Sequence, residues 1–393
     1  MAFEVRRGQA ARFGLALLGA MTLAGCALVP RGGSERPPAA EPEPQQAPAV
    51  AEDEPGPSLP AGETRNRVAV LVPLSGSNAA VGQAILNAAN LALLDSGTDR
   101  FAITAYDTAR GAVVAANEAL ADGNGLFLGP LLADDARAVG PLAQRARVPV
   151  IAFSNDVSIA GEGVYILGLN PAQSIARVVE FARERGARRF GALLPANVYG
   201  ERAAPALAAA VARSGGTLSV ETYDRSAGST AAAAVRLNAE GPYDAVLIAD
   251  APRTAALAVP VLRRSSPEVR ILGTELWASE ALPAALRGAW FAGPADTRFE
   301  QLRTRYRARF RTNPHRLASL GYDSVLLAVR LADEWRLGRA FPARLLRDPN
   351  GFSGIDGAFR FRRDGVAERA LEVLEVTAAG TTVVSPAASG FDD

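Results

Sequence analysis

The chain has one histidine, His315, one cysteine, Cys26, and no lysine among its 42 basic residues, so few side chains can do covalent or acid–base chemistry. Without lysine there is no Schiff base, no Ser–Lys pair and no P-loop lysine. His315 follows Asn313-Pro314 at the predicted start of a helix, where a surface or capping residue is expected. No Gly-x-Ser-x-Gly turn supplies a nucleophilic serine. One histidine and one cysteine make a zinc site with nitrogen or sulfur ligands improbable. Gly123-Asn124-Gly125 with Gly129 has the spacing Gly-x-Gly-x-x-x-Gly and flanks a strand, so it is not a dinucleotide loop. Asp107, Asp156, Asp250 and Glu275 are the residue types that cleave glycosides, but no spacing pairs them. The expectation is a protein that is not an enzyme and uses no cofactor or metal.

Residues suited to binding sit where strands end. RVAVLVPLSGS, at 67–77, is a compact apolar run stopped by proline and a small polar turn. Its unbroken apolar core, 68–72, predicts a central strand covered on both faces. Ser75 and Ser77 then fall at the strand's C-terminal edge, where open α/β sheets meet ligands. Further strands are predicted at 101–106, 126–128, 148–153, 164–167, 189–194, 218–223, 245–249, 269–272 and 290–292. Their ends present Asp107, Ser154, Asn155, Asp156, Asn197, Asp250, Thr274 and Glu275. Each of these types is also a preferred helix cap or turn residue, so both roles stay open.

Helical stretches alternate with the strands, at about 80–94, 111–121 and 134–147 among others, which predicts doubly wound parallel sheets. The units are too many for one sheet. The fold class expected is α/β, two Rossmann-like lobes with an interlobe cleft. Asn170-Pro171 and Gly293-Pro294 are natural crossings between lobes. The first lobe is assigned 66–169 and 296–345, with helices at 298–311 and 319–336. The second is assigned 170–295 and 346–385, including a hairpin of 358–361 and 371–376 turning at Arg363-Asp364-Gly365. Residues 386–393 are read as a tail.

The N-terminal residues read as an export signal, 1–25. Arg6, Arg7 and Arg12 precede an apolar run at 13–24 that is too short to span a bilayer. The run ends in Leu23-Ala24-Gly25-Cys26, which resembles the lipobox of bacterial lipoproteins, with Cys26 as the lipidated residue. An ordinary signal peptide with an incidental cysteine is the alternative. From 27 to 65 the chain is dense in Pro, Ala and Glu and reads as a disordered tether. About 39 residues span about 35 Å as a coil and about 120 Å when extended. The formal net charge of +1 gives no reason to expect nucleic acid.

A series of segments carries a family resemblance. These are RVAVLVPLSGS, YDTA at 106–109, FLGPLLADDARAV at 127–139, VPVIAFSND at 148–156, ILGTELW at 271–277, GYDSVLLA at 321–328 and GFSGIDGAFRFRRDG at 351–365. Together they resemble the type I periplasmic-binding-protein fold in its Leu/Ile/Val-binding branch. More narrowly, the chain is similar to the lipoproteins called penicillin-binding-protein activators. The resemblance implies a cleft between two lobes that close by hinge motion. In amino-acid binders, serine hydroxyls and amides after the Gly-Pro strand end hold the ligand carboxylate. Here that loop reads Leu131-Leu132-Ala133 and has lost the hydroxyls. Tyr199 matches the tyrosine of the family's Tyr-Gly turn, and Glu275 falls where the binders place an acid facing the ligand ammonium.

Two functions follow from the resemblance. One is an envelope regulator, lipid-anchored on the periplasmic side, that contacts a peptidoglycan synthase of the penicillin-binding-protein class. Ala27, where aspartate would favour inner-membrane retention, points it to the outer membrane. The other is a solute-binding protein that delivers an amino-acid-like ligand to an ABC permease. Fold analogy alone does not choose between them.

Overall fold

Val68, Val70 and Val72 face one way and Ala69 and Leu71 the other, and all five are fully buried. Strand β1 (Asn66–Val72) is therefore covered on both faces, as its composition predicts. The computed structural model describes residues 54–391, apart from Arg225 and Ala227. Cys26, the predicted signal and lipobox, and the expected tether up to residue 53 lie outside the described residues, whereas 54–65, also assigned to the tether, pack against the first lobe, where Pro55 bridges Arg339 and the Gly56 amide donates to the Gly338 carbonyl.

In the first lobe, β1 leads to α1 (Ala79–Ser96), β2 (Phe101–Asp107), α2 (Ala112–Ala121), β3 (Leu126–Leu128), α3 (Ala133–Arg145), β4 (Val150–Ala152) and β5 (Val164–Ile166). The strands form a parallel sheet in the order β2-β1-β3-β4-β5. After β5 the chain crosses to α4 (Pro171–Glu184), β6 (Arg189–Pro195), α5 (Val198–Arg213), β7 (Thr217–Tyr223), α6 (Ser229–Glu240), β8 (Ala245–Ile248), α7 (Pro252–Ser265), β9 (Arg270–Gly273) and β10 (Trp290–Gly293). A second crossing leads to α8 (Asp296–Phe310) and α9 (Ala318–Leu331), which pack beside α1 on the first sheet. Gly321 of α9 permits this approach, because a Cβ there would collide with the Ile85 carbonyl of α1.

Next come β11 (Phe352–Gly354), β12 (Gly357–Phe361) and β13 (Ala367–Arg369), a small antiparallel sheet. The chain ends with β14 (Glu372–Thr377) and β15 (Gly380–Ser385) on the second sheet, whose order is β15-β14-β10-β9-β8-β6-β7.

The closing region corrects three expectations. Residues 352–367 belong to the first lobe's core, through Phe352, Ile355, Phe359, Phe361 and Ala367. Only 372–385 join the second lobe, so the segment 346–385 is shared between lobes. The hairpin partner of β12 is β13, with Phe361 opposite Ala367, whereas 371–376 crosses over and pairs antiparallel with β10. Both segments alternate apolar residues, and alternation does not say which sheet a strand joins. The helix expected over 319–336 ends at Leu331 and tightens into a 3-10 turn that buries Trp335 against Phe341. Among the described residues, no helix is long and apolar enough to cross a membrane.

Candidate functional site

Arg202, near the start of α5 on the second lobe, reaches the loop after β4 on the first, so the C-terminal ends of the parallel strands of the two lobes meet there. On the first lobe, Asp107 ends β2 and ties down the end of β1. Its carboxylate accepts from the Leu74 amide at 2.7 Å, the Ser75 hydroxyl at 2.7 Å and the Ala109 amide at 3.0 Å. Burial is the largest single effect and opposes its charge, but these donors together outweigh it and hold the carboxyl below the ordinary aspartate range. Ser75 and Asp107 are thus each other's partners. Ser77 is exposed in the turn before α1.

The loop after β4 carries Ser154, Asn155 and Asp156. Ser154 is buried, and its hydroxyl oxygen accepts the Asp156 amide at 3.0 Å. Asp156 accepts from the Ser158 amide and hydroxyl at 3.0 and 2.7 Å. Its other oxygen lies 3.1 Å from Arg137 of α3 and 2.8 Å from Arg202 of α5. Burial opposes the charge, and the Ser158 donors and both guanidiniums reverse that, leaving the carboxyl below its usual range. Arg202 also donates to Asn155 Oδ1 at 2.9 Å. One second-lobe side chain therefore engages two first-lobe residues across the cleft.

The loop 131–133 leads directly into α3. Leu132 precedes α3 with no side-chain cap, and Asp134 and Asp135 occupy the helix's first turn. They complement the helix dipole where an anionic ligand would otherwise do so. Arg137 pairs with Asp134 at 2.8 Å and continues the charge chain to Asp156.

On the second lobe, Tyr199 and Glu275 are hydrogen-bonded to each other. The Tyr199 hydroxyl lies 2.8 Å from both Glu275 Oε1 and Thr274 Oγ1. The second Glu275 oxygen accepts from the Ser174 hydroxyl at the start of α4. Burial raises the Glu275 carboxyl above the ordinary glutamate range, with the Ser174 and Tyr199 hydroxyls only partly offsetting it. Burial and then the Glu275 charge push the Tyr199 phenol well above its ordinary value. Asn197 caps α5 through the amides of Tyr199 and Gly200 at 3.0 and 3.1 Å. Asp250 is fully buried beneath the loop, accepting the Tyr223 hydroxyl at 2.8 Å, while its carbonyl accepts the Trp277 indole at 2.9 Å.

The carboxylates of Asp107, Asp156, Asp250 and Glu275 thus each have their own donors. His315 accepts the Leu317 amide at 3.2 Å, a capping contact. Among the described residues, no group of three His, Cys, Asp or Glu is placed to hold a metal ion. Arg202, Arg137 and Ser174 are absent from the sequence-based set. Arg202 stands three residues after Tyr199, one helical turn along the same face, and that spacing is the signal that could have found it.

Two lobes of this topology, joined by three crossings around a cleft, define a binding-protein class. The chain belongs to the periplasmic binding protein family, whose family model matches residues 66–381. A branched-chain amino acid ABC transporter periplasmic ligand-binding protein from Burkholderia xenovorans superposes with a TM-score of 0.67 at 15% identity, covering 82% of this chain and 95% of that one. The LpoA C-domain from Haemophilus influenzae, a regulator of PBP1A, superposes with a TM-score of 0.65 at 17% identity, covering 81% of this chain and 100% of that one. An uncharacterized protein from Rickettsia prowazekii is 24% identical over 136 residues, which is 34% of this chain and 36% of that relative. The chain thus matches about a third of the length of that curated relative.

Proposed function

We propose that this protein is a non-catalytic envelope lipoprotein that regulates peptidoglycan synthesis by binding a penicillin-binding protein. The observation that carries this reading is the bond set of the cleft. Arg202 occupies Asn155 and Asp156, and Tyr199 with Ser174 occupies Glu275, so both sides that would hold an amino acid are engaged internally. The acidic first turn of α3 further disfavours a ligand carboxylate. A domain with this cleft acts through its outer surface, and the fold it shares with a PBP1A regulator fits that use. Cys26 as the lipid anchor and Ala27 as the outer-membrane signal complete the reading. The test is affinity purification of the full chain from envelopes. Enrichment of a bifunctional penicillin-binding protein is expected, and enrichment of an ABC permease instead would sink the reading.

The second reading, delivery of an amino-acid-like solute to an ABC permease, is favoured by one observation. Tyr199 and Glu275 stand together at the second-lobe strand ends, an aromatic and an acid suited to an ammonium. Ligand entry would then have to displace Ser174 or the tyrosine from the carboxylate.

A further inference from the structure

Helix α8 concentrates positive charge that the fold does not use. Arg298, Arg303, Arg305, Arg307, Arg309 and Arg311 fall within 298–311, with Glu300 as the one acid there, in a chain of net charge +1. Its buried face is narrow, made of Phe299, Leu302 and Tyr306, and all six arginines are exposed. Arg298 donates to Ser353 and the Gly354 carbonyl, Arg303 pairs with Glu300, and Arg305 pairs with Asp95 at 2.7 Å. No hydrogen bond or ion pair engages the side chains of Arg307, Arg309 and Arg311 among the described residues.

This arrangement works against the helix itself. Arg303 and Arg307 lie one turn apart, as do Arg305 and Arg309, a like-charge spacing that destabilises a helix. Arg307 and Arg309 complement the dipole of the last turn, which explains those two alone. Arg311 takes φ 62° at the helix end, where glycine is the residue without strain. The basic half of α8 also lies at the end of the lobe where the chain enters. Arg305 binds Asp95, and a few residues further on the Arg100 carbonyl accepts the Asn66 amide at the start of β1.

We infer that the exposed face of α8 is a docking surface for an anionic lipid headgroup layer. The inference rests on the reading of Cys26 as a lipid anchor. By composition and length alone, the Pro/Ala/Glu-rich sequence from Cys26 to residue 54 allows a reach of about 30 Å if it is read as a flexible tether. An anchored domain then meets its bilayer at high effective concentration, so a weak, charge-driven contact suffices. Clustered arginines beside a membrane attract acidic lipids within a Debye length.

The test uses the chain from residue 26 onward carrying C26S, floated with vesicles. Binding to vesicles with about 30% phosphatidylglycerol should exceed binding to neutral vesicles roughly tenfold at low salt. The preference should vanish near about 0.5 M salt. R303Q/R307Q/R309Q/R311Q should abolish it, while R185Q/R188Q/R189Q on the second lobe should leave it intact. Circular dichroism melts of each variant check that the fold is kept, and the salt series on the parent is independent of any variant. No preference for anionic vesicles overturns the inference, as does its survival in the α8 variant. Capture of an acidic protein through α8, with no vesicle preference, overturns it too. Fatty-acid labelling of the full chain in cells reports on Cys26 separately. Vesicle preference without label supports the surface and removes the anchor, whereas label without preference does the reverse.

Discussion

Arg202 and Asp156 belong to different lobes and meet at 2.8 Å, while Asp156 also holds Arg137 of its own lobe. Asp156 is thus a shared anion between two guanidiniums, one of which moves with the second lobe. Two-lobed folds can close by hinge motion about their crossings, and here the Arg202 side chain already bridges the lobes.

Removing the Arg202 guanidinium should loosen the lobes without unfolding either. R202A is expected to enlarge the particle in small-angle scattering and to lower global stability by only about 1 kcal/mol, because the arginine is partly exposed. Unchanged scattering would mean the lobes are held by the crossings alone.

Common amino acids should not raise the melting temperature of the purified protein. A binding protein at a hundred times Kd gains about 2.7 kcal/mol from its ligand. A saturable rise with leucine, isoleucine or valine in differential scanning fluorimetry would restore the solute-binding reading.

Glu275 should behave as a buried acid held by two hydroxyls. Its carboxyl is raised above its ordinary value, so its contribution to stability is full below the ordinary glutamate range and lost as pH rises through the raised value. E275Q should retain most of the stability and flatten that pH dependence. E275A should cost about 2 to 3 kcal/mol, because the Ser174 and Tyr199 hydroxyls each lose a charged or polar partner in a buried place and keep only the Pro171 carbonyl and Thr274 hydroxyl. Chemical denaturation at two pH values separates these outcomes, and equal costs for both variants would refute the assignment.

The strands were legible because their composition is unambiguous. The run 68–72 is apolar on both faces, and its structure alternates those faces between α1 with α9 and α2 with α3. The polar residues at strand ends were legible as a set, since strand direction alone puts them on one side. Their partners were not. Whether Asp107 serves a ligand or caps β1 depends on the Leu74 amide and Ser75 hydroxyl reaching it, a contact 32 residues apart in sequence. Arg202 was missed because an arginine on an amphipathic helix usually faces solvent, and only the facing lobe supplies Asn155 and Asp156. The β13–β14 crossing was missed because Ala370-Leu371 is apolar and uninterrupted by any turn residue. β15 went unread because it is an edge strand whose outer side stays exposed.

The three crossings are laced by a buried charge network, and it sets the strongest pH dependence expected of the fold. Arg369, at the third crossing, lies 3.6 Å from Asp323 of α9 and donates to the Leu167 carbonyl at the first crossing at 3.4 Å. Arg316 meets Asp356 at 2.5 Å and Asp296, at the second crossing, at 3.9 Å. Asp323 accepts the Ile355 amide at 2.6 Å, and a Cβ at Gly354 would collide with its carboxylate. Burial, and then repulsion from Asp356, push the Asp323 carboxyl up to about 7, whereas Arg316 and Arg369 overcome burial to hold Asp356 below its ordinary value. The raised group contributes stability that is full below the ordinary aspartate value and falls as pH rises through about 7, by at most about 1.4 kcal/mol per pH unit. D323N should remove that decline. R369A should cost about 3 to 5 kcal/mol at pH above that point, where Asp323 is left charged and unpaired. The cost should shrink in mild acid, where the carboxyl takes up a proton. Urea unfolding of the parent and both variants on either side of neutral pH reads these slopes, and parallel pH profiles for parent and D323N would dismiss Asp323 as the titrating group.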